Sequence, residues 1–450
     1  MNENEKKVVI GESGIYDARK LGIPKMVILG LQHTFAMFGA TVLVPLITGL
    51  DVSTALLMAG LGTLLFHFFT KGKVPAFLGS SFAFLGGFAI VAPMVKDEAG
   101  NAVANLEKLP YACGGVVVAG LVYLVLSGLI AAFGVKKIMR FFPPVVTGPI
   151  IISIGLTLAP NAISNCSENW LLAFIALATV IICNIFGRGM VKILPILIGI
   201  VVSYIAALCM NAVDFTAINN AGLFGIALNP SAFAKFDISA ILTIMPIALA
   251  TMMEHIGDIA AISATCGQNY LAKPGLHRTL LGDGLATTMA GFFGGPANTT
   301  YGENTGVLAL TKVYDPRVMR IAACFAILLS FFPKFGAAIQ TIPTAIIGGI
   351  SFVLYGMISA IGARNLVENK VDFTKSRNLI IAAVILVCAL GFGSTGLTFT
   401  ITPEFTLTLS GLAIAAIAGI LLNIILPGND YVFDDGEAVK EEEPPVSFKV

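Results

Sequence analysis

Three carboxylates stand inside apolar chain, where ionisable groups are costly and by default functional. Glu254 and Asp258 lie four residues apart in Ala250-Thr-Met-Met-Glu-His-Ile-Gly-Asp-Ile-Ala260, so on a helix they share one face. Glu303 sits in Pro296-Ala-Asn-Thr-Thr-Tyr-Gly-Glu-Asn-Thr-Gly-Val-Leu-Ala-Leu-Thr-Lys312, a polar, glycine-bearing interruption between long apolar stretches. Burial favours the neutral carboxyl, so these groups can hold and pass a proton as well as accept hydrogen bonds. Irregular chain at membrane depth survives only where protein buries it or where it lines a cavity. Glu303 is therefore expected to face a substrate or ion site.

The elements that position these acids are membrane spans. Hydrophobic residues make up 56% of the 450-residue chain and charged residues 12%, against roughly 25% charged in a soluble domain. Mean hydropathy is +0.89. Fourteen stretches are long and apolar enough, at 25-49, 53-70, 75-94, 110-133, 143-160, 169-187, 193-213, 239-262, 279-294, 297-311, 318-336, 338-361, 377-394 and 405-427. The third and tenth are interrupted by Ser, Thr, Asn and Gly and are read as broken by short extended pieces. With both termini cytoplasmic, every Lys and Arg except Lys96, Lys108, Lys235 and Lys334 falls in a terminus or an even-numbered loop, or at the span edge beside one, as the positive-inside rule requires. The first residues lack the apolar core of a cleavable signal, so the first stretch is expected to stay as a span.

The two halves echo each other. Gln32-His33 in the first span matches Glu254-His255 in the eighth, and Ser80-Ser81-Phe82-Ala83 in the third matches Thr299-Thr300-Tyr301-Gly302 in the tenth. Proline then glycine opens the fifth and twelfth spans, at Pro144/Gly148 and Pro343/Gly348. Seven spans per half is an odd number, so the halves enter from opposite sides as inverted repeats. Matched broken segments in such halves point to a transport site near the bilayer midplane. The fold class is an all-α polytopic membrane protein with a seven-plus-seven inverted repeat.

Phe82 and Tyr301 occupy equivalent places in the two breaks, where freed backbone N–H groups and half-helix N-termini converge. N–H donors suit carbonyl oxygens, carboxylates suit ring N–H groups, and an aromatic face suits a flat ring. A planar, neutral, amide-like ligand fits that combination, and Gly79, Gly86, Gly302 and Gly306 permit close backbone approach. Residue types alone do not single out a nucleobase. His33 and His255 are either site or packing histidines, His67 and His277 are read as interfacial, and Asp283 as the partner of a cytoplasmic basic residue. The seven cysteines show no metal or disulfide spacing. Without a nucleophile elbow, cofactor motif or metal-binding histidine pair, no enzyme activity, cofactor, metal or nucleic-acid partner is expected.

The run Glu303-Asn-Thr-Gly-Val-Leu-Ala-Leu-Thr-Lys312 resembles the signature of the nucleobase/ascorbate transporter family: an acid or Gln, Asn-x-Gly, four residues, then Thr-Lys/Arg. Val74-Pro-Ala-Phe-Leu-Gly-Ser-Ser-Phe-Ala-Phe84 and Pro274-Gly-Leu-His-Arg278 are similar to its bacterial uracil permease branch. The resemblance covers about residues 20 to 428. It implies a core domain (25-133 and 239-336, spans 1-4 and 8-11) that binds substrate. It implies a gate domain (143-213 and 338-427, spans 5-7 and 12-14), flanked by a cytoplasmic tail at 1-24 and an acidic one at 428-450. It further implies that Glu254 and Glu303 accept hydrogen bonds from a pyrimidine while backbone amides at Phe82 and Gly302 meet its carbonyls. Uracil import by proton symport across the bacterial inner membrane, in a homodimer joined through the gate, is the function this resemblance implies. Glu254, Asp258 and Glu303 are the candidate proton carriers. Asp258 departs from relatives that carry histidine there, and Glu303, where purine carriers often have Gln, favours uracil. A purine (xanthine or urate) or sodium-coupled carrier is the alternative, and an anion carrier or channel of the same architecture a more distant one.

Overall fold

The computed structural model describes residues 10–96, 102–393, 395–402, 405–428 and 431, so the first nine residues and nearly all of the acidic C-terminal stretch lie outside it. The first half of the chain runs α1 (Ile23–Thr48), α2 (Val52–Phe69), β1 (Leu78–Ser80), α3 (Leu85–Val91), the short pair β2 (Val95–Lys96) and β3 (Ala102–Val103), then α4 (Leu109–Phe133), the turn α5 (Val135–Met139), α6 (Pro144–Ser167), α7 (Trp170–Phe186), α8 (Met190–Ile193) and α9 (Pro195–Cys209). After a connection holding α10 (Thr216–Asn220), the second half runs α11 (Ile238–Ile244), α12 (Ala248–Cys266), α13 (Leu276–Phe292), β4 (Asn298–Thr300), α14 (Gly302–Thr311), α15 (Pro316–Ser330), α16 (Pro333–Gln340), α17 (Thr344–Glu368), α18 (Ser376–Phe392), β5 (Leu397–Thr402), β6 (Phe405–Leu409) and α19 (Gly411–Ile425).

Six of these stretches are helices long and apolar enough to cross a membrane: α1, α2, α4, α6, α17 and the run Ile238–Cys266. Local chemistry sets their ends. Asp51 Oδ1 accepts the Thr54 backbone N–H (2.6 Å) at the start of α2, and left-handed Gly49 closes α1. Pro246 interrupts the Ile238–Cys266 run with a 3₁₀ turn, as a missing donor requires.

Several boundaries differ from the spans read in the sequence. The stretch placed at 405-427 begins as a strand, β6, paired antiparallel with β5. Leu397-Thr-Phe-Thr-Ile-Thr402 and Phe405-Thr-Leu-Thr-Leu409 alternate with period two, which is a strand pattern rather than a helical one. The stretch at 318-336 breaks after Ser330, and α16 leaves α15 at 85°; Pro333 lacks the N–H that would continue the helix. The stretch at 338-361 starts as a helix only at Thr344, capped by Pro343, and runs on to Glu368.

Helix contacts come in matched sets. α2 packs on α15 as α13 packs on α4; α1 meets α15 as α12 meets α4; α7 pairs with α9 as α18 pairs with α19; α17 touches α7 as α6 touches α18. Exchanging the halves turns each pairing into another observed one. The pairs that map onto themselves, α6 with α17, α2 with α13 and β1 with β4, lie where the halves meet. Gly155 and Gly348 show why α6 and α17 approach so closely. A Cβ on Gly155 would sit 2.1 Å from the Tyr355 carbonyl, and one on Gly348 2.5 Å from the Cys166 backbone nitrogen.

Candidate functional site

The two interrupted stretches meet directly. β1 and β4 run antiparallel with Gly79 opposite Thr299, extended at the ends by Ser81 N–H to the Ala297 carbonyl (2.8 Å) and Tyr301 N–H to the Phe77 carbonyl (3.1 Å). The pair is pinned from behind. Asn298 Nδ2 donates to the Met58 carbonyl (3.1 Å), Thr287 Oγ1 donates to the Asn298 carbonyl (2.9 Å), and the Leu78 N–H donates to Thr63 Oγ1 (2.9 Å). Two short strands satisfy each other's backbone in a place where only protein can do so. Beyond each strand a helix starts without a side-chain cap, α3 after Phe84 and α14 after Tyr301. The first N–H groups of such a helix need outside acceptors.

All three acids come to this junction. α12 packs on α14 and on β4, and Thr300 Oγ1 donates to Asp258 Oδ2 (2.9 Å). Glu254, one turn earlier, has Oε2 buried with no hydrogen-bond partner. Glu303 lies in the first turn of α14. It faces a cavity of about 380 Å³ bounded by Phe35 and Ala36 of α1, Gly302 and Gly306 of α14, Ile196 of α9 and Ile358 of α17, within the range usual for small-molecule sites. Glu303 and Gly302 line that cavity; Glu254, Asp258, Phe82 and Tyr301 are not among its lining residues.

The aromatic residues are placed differently from each other. Tyr301 is 3% exposed, and its hydroxyl donates to the Ser80 carbonyl (2.9 Å) and accepts from Thr41 (3.3 Å). Its ring covers Gly79, where a Cβ would come within 2.5 Å of it. Tyr301 thus ties the two strands together. Phe82 packs edge-on against Tyr355 of α17, with ring centroids 5.8 Å apart.

Several polar residues behave otherwise than their types suggested. Asp283 is fully buried, with Oδ2 2.8 Å from His255 Nδ1, and among the described residues it is this histidine rather than a cytoplasmic Lys or Arg that it meets. His67 is also buried rather than interfacial, its Nε2 2.9 Å from the Ala76 carbonyl. His33 lies against Asn304, whose Nδ2 donates to the His33 carbonyl (3.1 Å) and reaches Nδ1 at the same distance. Gln32 Nε2 meets the Met190 sulfur. Asn304, Thr300 and Asp283 were thus missed as supports of the site. Asn304 and Thr300 stand beside Glu303 in the polar run, so their adjacency was the available signal; nothing local announced the His255–Asp283 pair, because its members come from different helices.

A many-helix membrane protein with paired half-helices meeting at buried acids is built as a carrier. The chain belongs to the nucleobase/ascorbate transporter family: residues 24–396 match the model of this Permease family. The uracil permease of Bacillus caldolyticus is 42% identical over 421 residues, covering 90% of this chain and 93% of that one. The putative pyrimidine permease RutG of Escherichia coli (strain K12) is 41% identical over 426 residues, 92% of each. The uracil permease of Bacillus subtilis (strain 168) is 41% identical over 414 residues, 88% of this chain and 91% of the other. Among solved structures, the transmembrane domain of a cyanobacterial bicarbonate transporter, BicA, superposes with a TM-score of 0.63 at 16% identity, over 85% of this chain and 98% of that one. SLC26A9 superposes at 0.64 and 11% identity, over 90% and 65%. These two share the fold. The chain is a multi-pass membrane permease for a nucleobase, not an enzyme.

Proposed function

We propose that the protein imports uracil by proton symport. The reading rests on the carboxylates of Glu303 and Glu254 beside two uncapped half-helices, in a chain about two-fifths identical to proteins named uracil permeases. Glu303 and Glu254 accept the two ring N–H groups, and the backbone amides at Phe82 and Gly302 donate to the ring carbonyls. A buried carboxylate oxygen without a donor is costly, so the orphaned Glu254 Oε2 gains either a ring N–H or a proton. Asp258, held by Thr300, receives or relays the coupling proton.

The fourteen stretches cross the bilayer as inverted repeats with both termini cytoplasmic, in the bacterial inner membrane. α1–α4 with α11–α15 form the core that carries the site, and α6–α9 with α17–α19 form the gate; copies pair as a dimer through the gate. The matched helix pairings support the repeat, and the basic loops support the orientation. The cavity at Glu303 lies between the two groups, with α1 and α14 on one side and α9 and α17 on the other. Movement of core against gate would then expose Glu303 to either side in turn.

A sodium-coupled or purine carrier is the competing reading within transport. An anion carrier is a second one, favoured only by the fold shared with the bicarbonate transporter; carboxylates at the centre repel anions. Uptake of labelled uracil, challenged with unlabelled uracil, xanthine, urate or bicarbonate and with a protonophore or sodium removal, separates the three. Uracil alone should compete and the protonophore should stop accumulation. Competition by purines, a sodium requirement or inhibition by bicarbonate would each select the corresponding alternative.

A further inference from the structure

The stretch counted as part of an N-terminal tail is docked, and on the two helices that carry the acids. Helix C-termini leave carbonyls without partners, and residues 11–21 supply donors to both. At the end of α14 the Gly11 N–H donates to the Thr311 carbonyl (3.0 Å), the Ile15 N–H to the Lys312 carbonyl (2.7 Å), and the Tyr314 N–H returns to the Ile15 carbonyl (2.8 Å). At the end of α12 the Tyr16 hydroxyl donates to the Cys266 carbonyl (2.6 Å). The Tyr16 ring lies 5.4 Å from that of Tyr314. Ile15, Ala18 and Leu21 are buried with Leu29, Val313 and Val318. The Ala18 N–H donates to Asp315 Oδ2 (2.7 Å), and the Arg317 guanidinium reaches both Asp17 (3.1 Å) and Asp315 (3.0 Å). The hydrogen bond from Arg19 holds the Asp17 carboxyl well below its usual range, so it stays charged toward Arg317.

Spacing gives this contact a consequence at the site. Asp258 precedes Cys266, and Glu303 precedes Thr311, by the same eight residues, or about 12 Å of helix. α12 is therefore joined twice to the continuous β4–α14 segment, once beside the acids by Thr300 of β4 and Asp258, and once at the helix ends through the N-terminal segment. A slip of one helix along the other by a single residue, about 1.5 Å, would break a hydrogen bond at either joint.

We propose that residues 11–21 form a clasp that sets the relative depth of the two acid-bearing helices, with Tyr16 as the positioning residue that links one to the other. The clasp rests on the reading that Glu303 and Glu254 bind uracil together. Its test uses the full chain: Tyr16→Phe keeps the ring against Tyr314 and removes only the bond to Cys266. Uracil binding is measured by calorimetry on purified protein, and the maximal uptake rate in proteoliposomes. Losing one hydrogen bond that orients the site should raise the uracil Kd by about two- to tenfold with a smaller change in maximal rate, and Tyr16→Ala should raise it further. A lower yield of folded protein whose surviving fraction binds uracil normally would make Tyr16 merely structural and overturn the proposal. Glu303→Gln is run beside it. Weakened binding there with unchanged binding in Tyr16→Phe removes the clasp alone; unchanged binding in both removes the site as well.

Discussion

Glu303 has an ionisable carboxyl, a place in the first turn of α14 and an opening onto a cavity, which together make it the side chain most open to test. Glu303→Gln keeps the size and puts an amide where an acceptor is needed. Losing a charge-assisted bond costs about 1.5–3 kcal/mol, so calorimetry should show uracil binding weakened roughly tenfold or more. Asp258 is held by Thr300, and Asp258→Asn should change the pH dependence of uptake while uracil still binds. A wild-type pH profile in that variant would leave Glu254 and Glu303 as the proton carriers. The acids were legible because a charge inside apolar sequence is rare. Tyr301 was legible as a residue of the break, whereas the bond of its hydroxyl to Ser80 and the placing of its ring over Gly79 are visible only in the fold.

The junction of β1 and β4 was readable at the level of elements, because Ser, Thr, Asn and Gly in the middle of apolar chain cannot form an ordinary span. The β5–β6 hairpin was equally readable from its threonine alternation, but length and hydropathy masked it. What no local pattern reveals is which face meets which helix. Gly348 is the instructive example: it packs on α6, so both partners belong to the group proposed as the gate. Gly348→Leu would drive a side chain into the Cys166 backbone, and the expected result is loss of folded protein rather than slower transport. One residue that sits between the two groups is Gly257 of α12, where a Cβ would lie 3.3 Å from Ile151 of α6 and 3.4 Å from Asn365 of α17. Gly257→Val should slow uptake about tenfold, equivalent to 1.4 kcal/mol on the barrier, with uracil affinity nearly unchanged. Equal loss of both in folded protein would place Gly257 in the site instead.

For the whole molecule, the sequence carried the membrane class, and the matched helix pairings are those that the proposed repeat would give. It did not carry the long-range joints, such as His255 with Asp283 or Tyr16 with Cys266, since these pair residues far apart in sequence. A ligand moves such a machine only through different affinities for its two states. The Phe82–Tyr355 contact joins a strand-bearing segment of the proposed core to α17 of the proposed gate, and it should break or re-form as the two move. The central claim is that proton binding at these acids drives uracil inward, and reconstituted vesicles with an imposed pH gradient, acidic outside and free of sodium, test it most directly. The expected result is transient accumulation of labelled uracil above equilibrium, abolished by a protonophore and by Glu254→Gln. Accumulation that ignores the pH gradient, or that appears only when sodium is added, would contradict it.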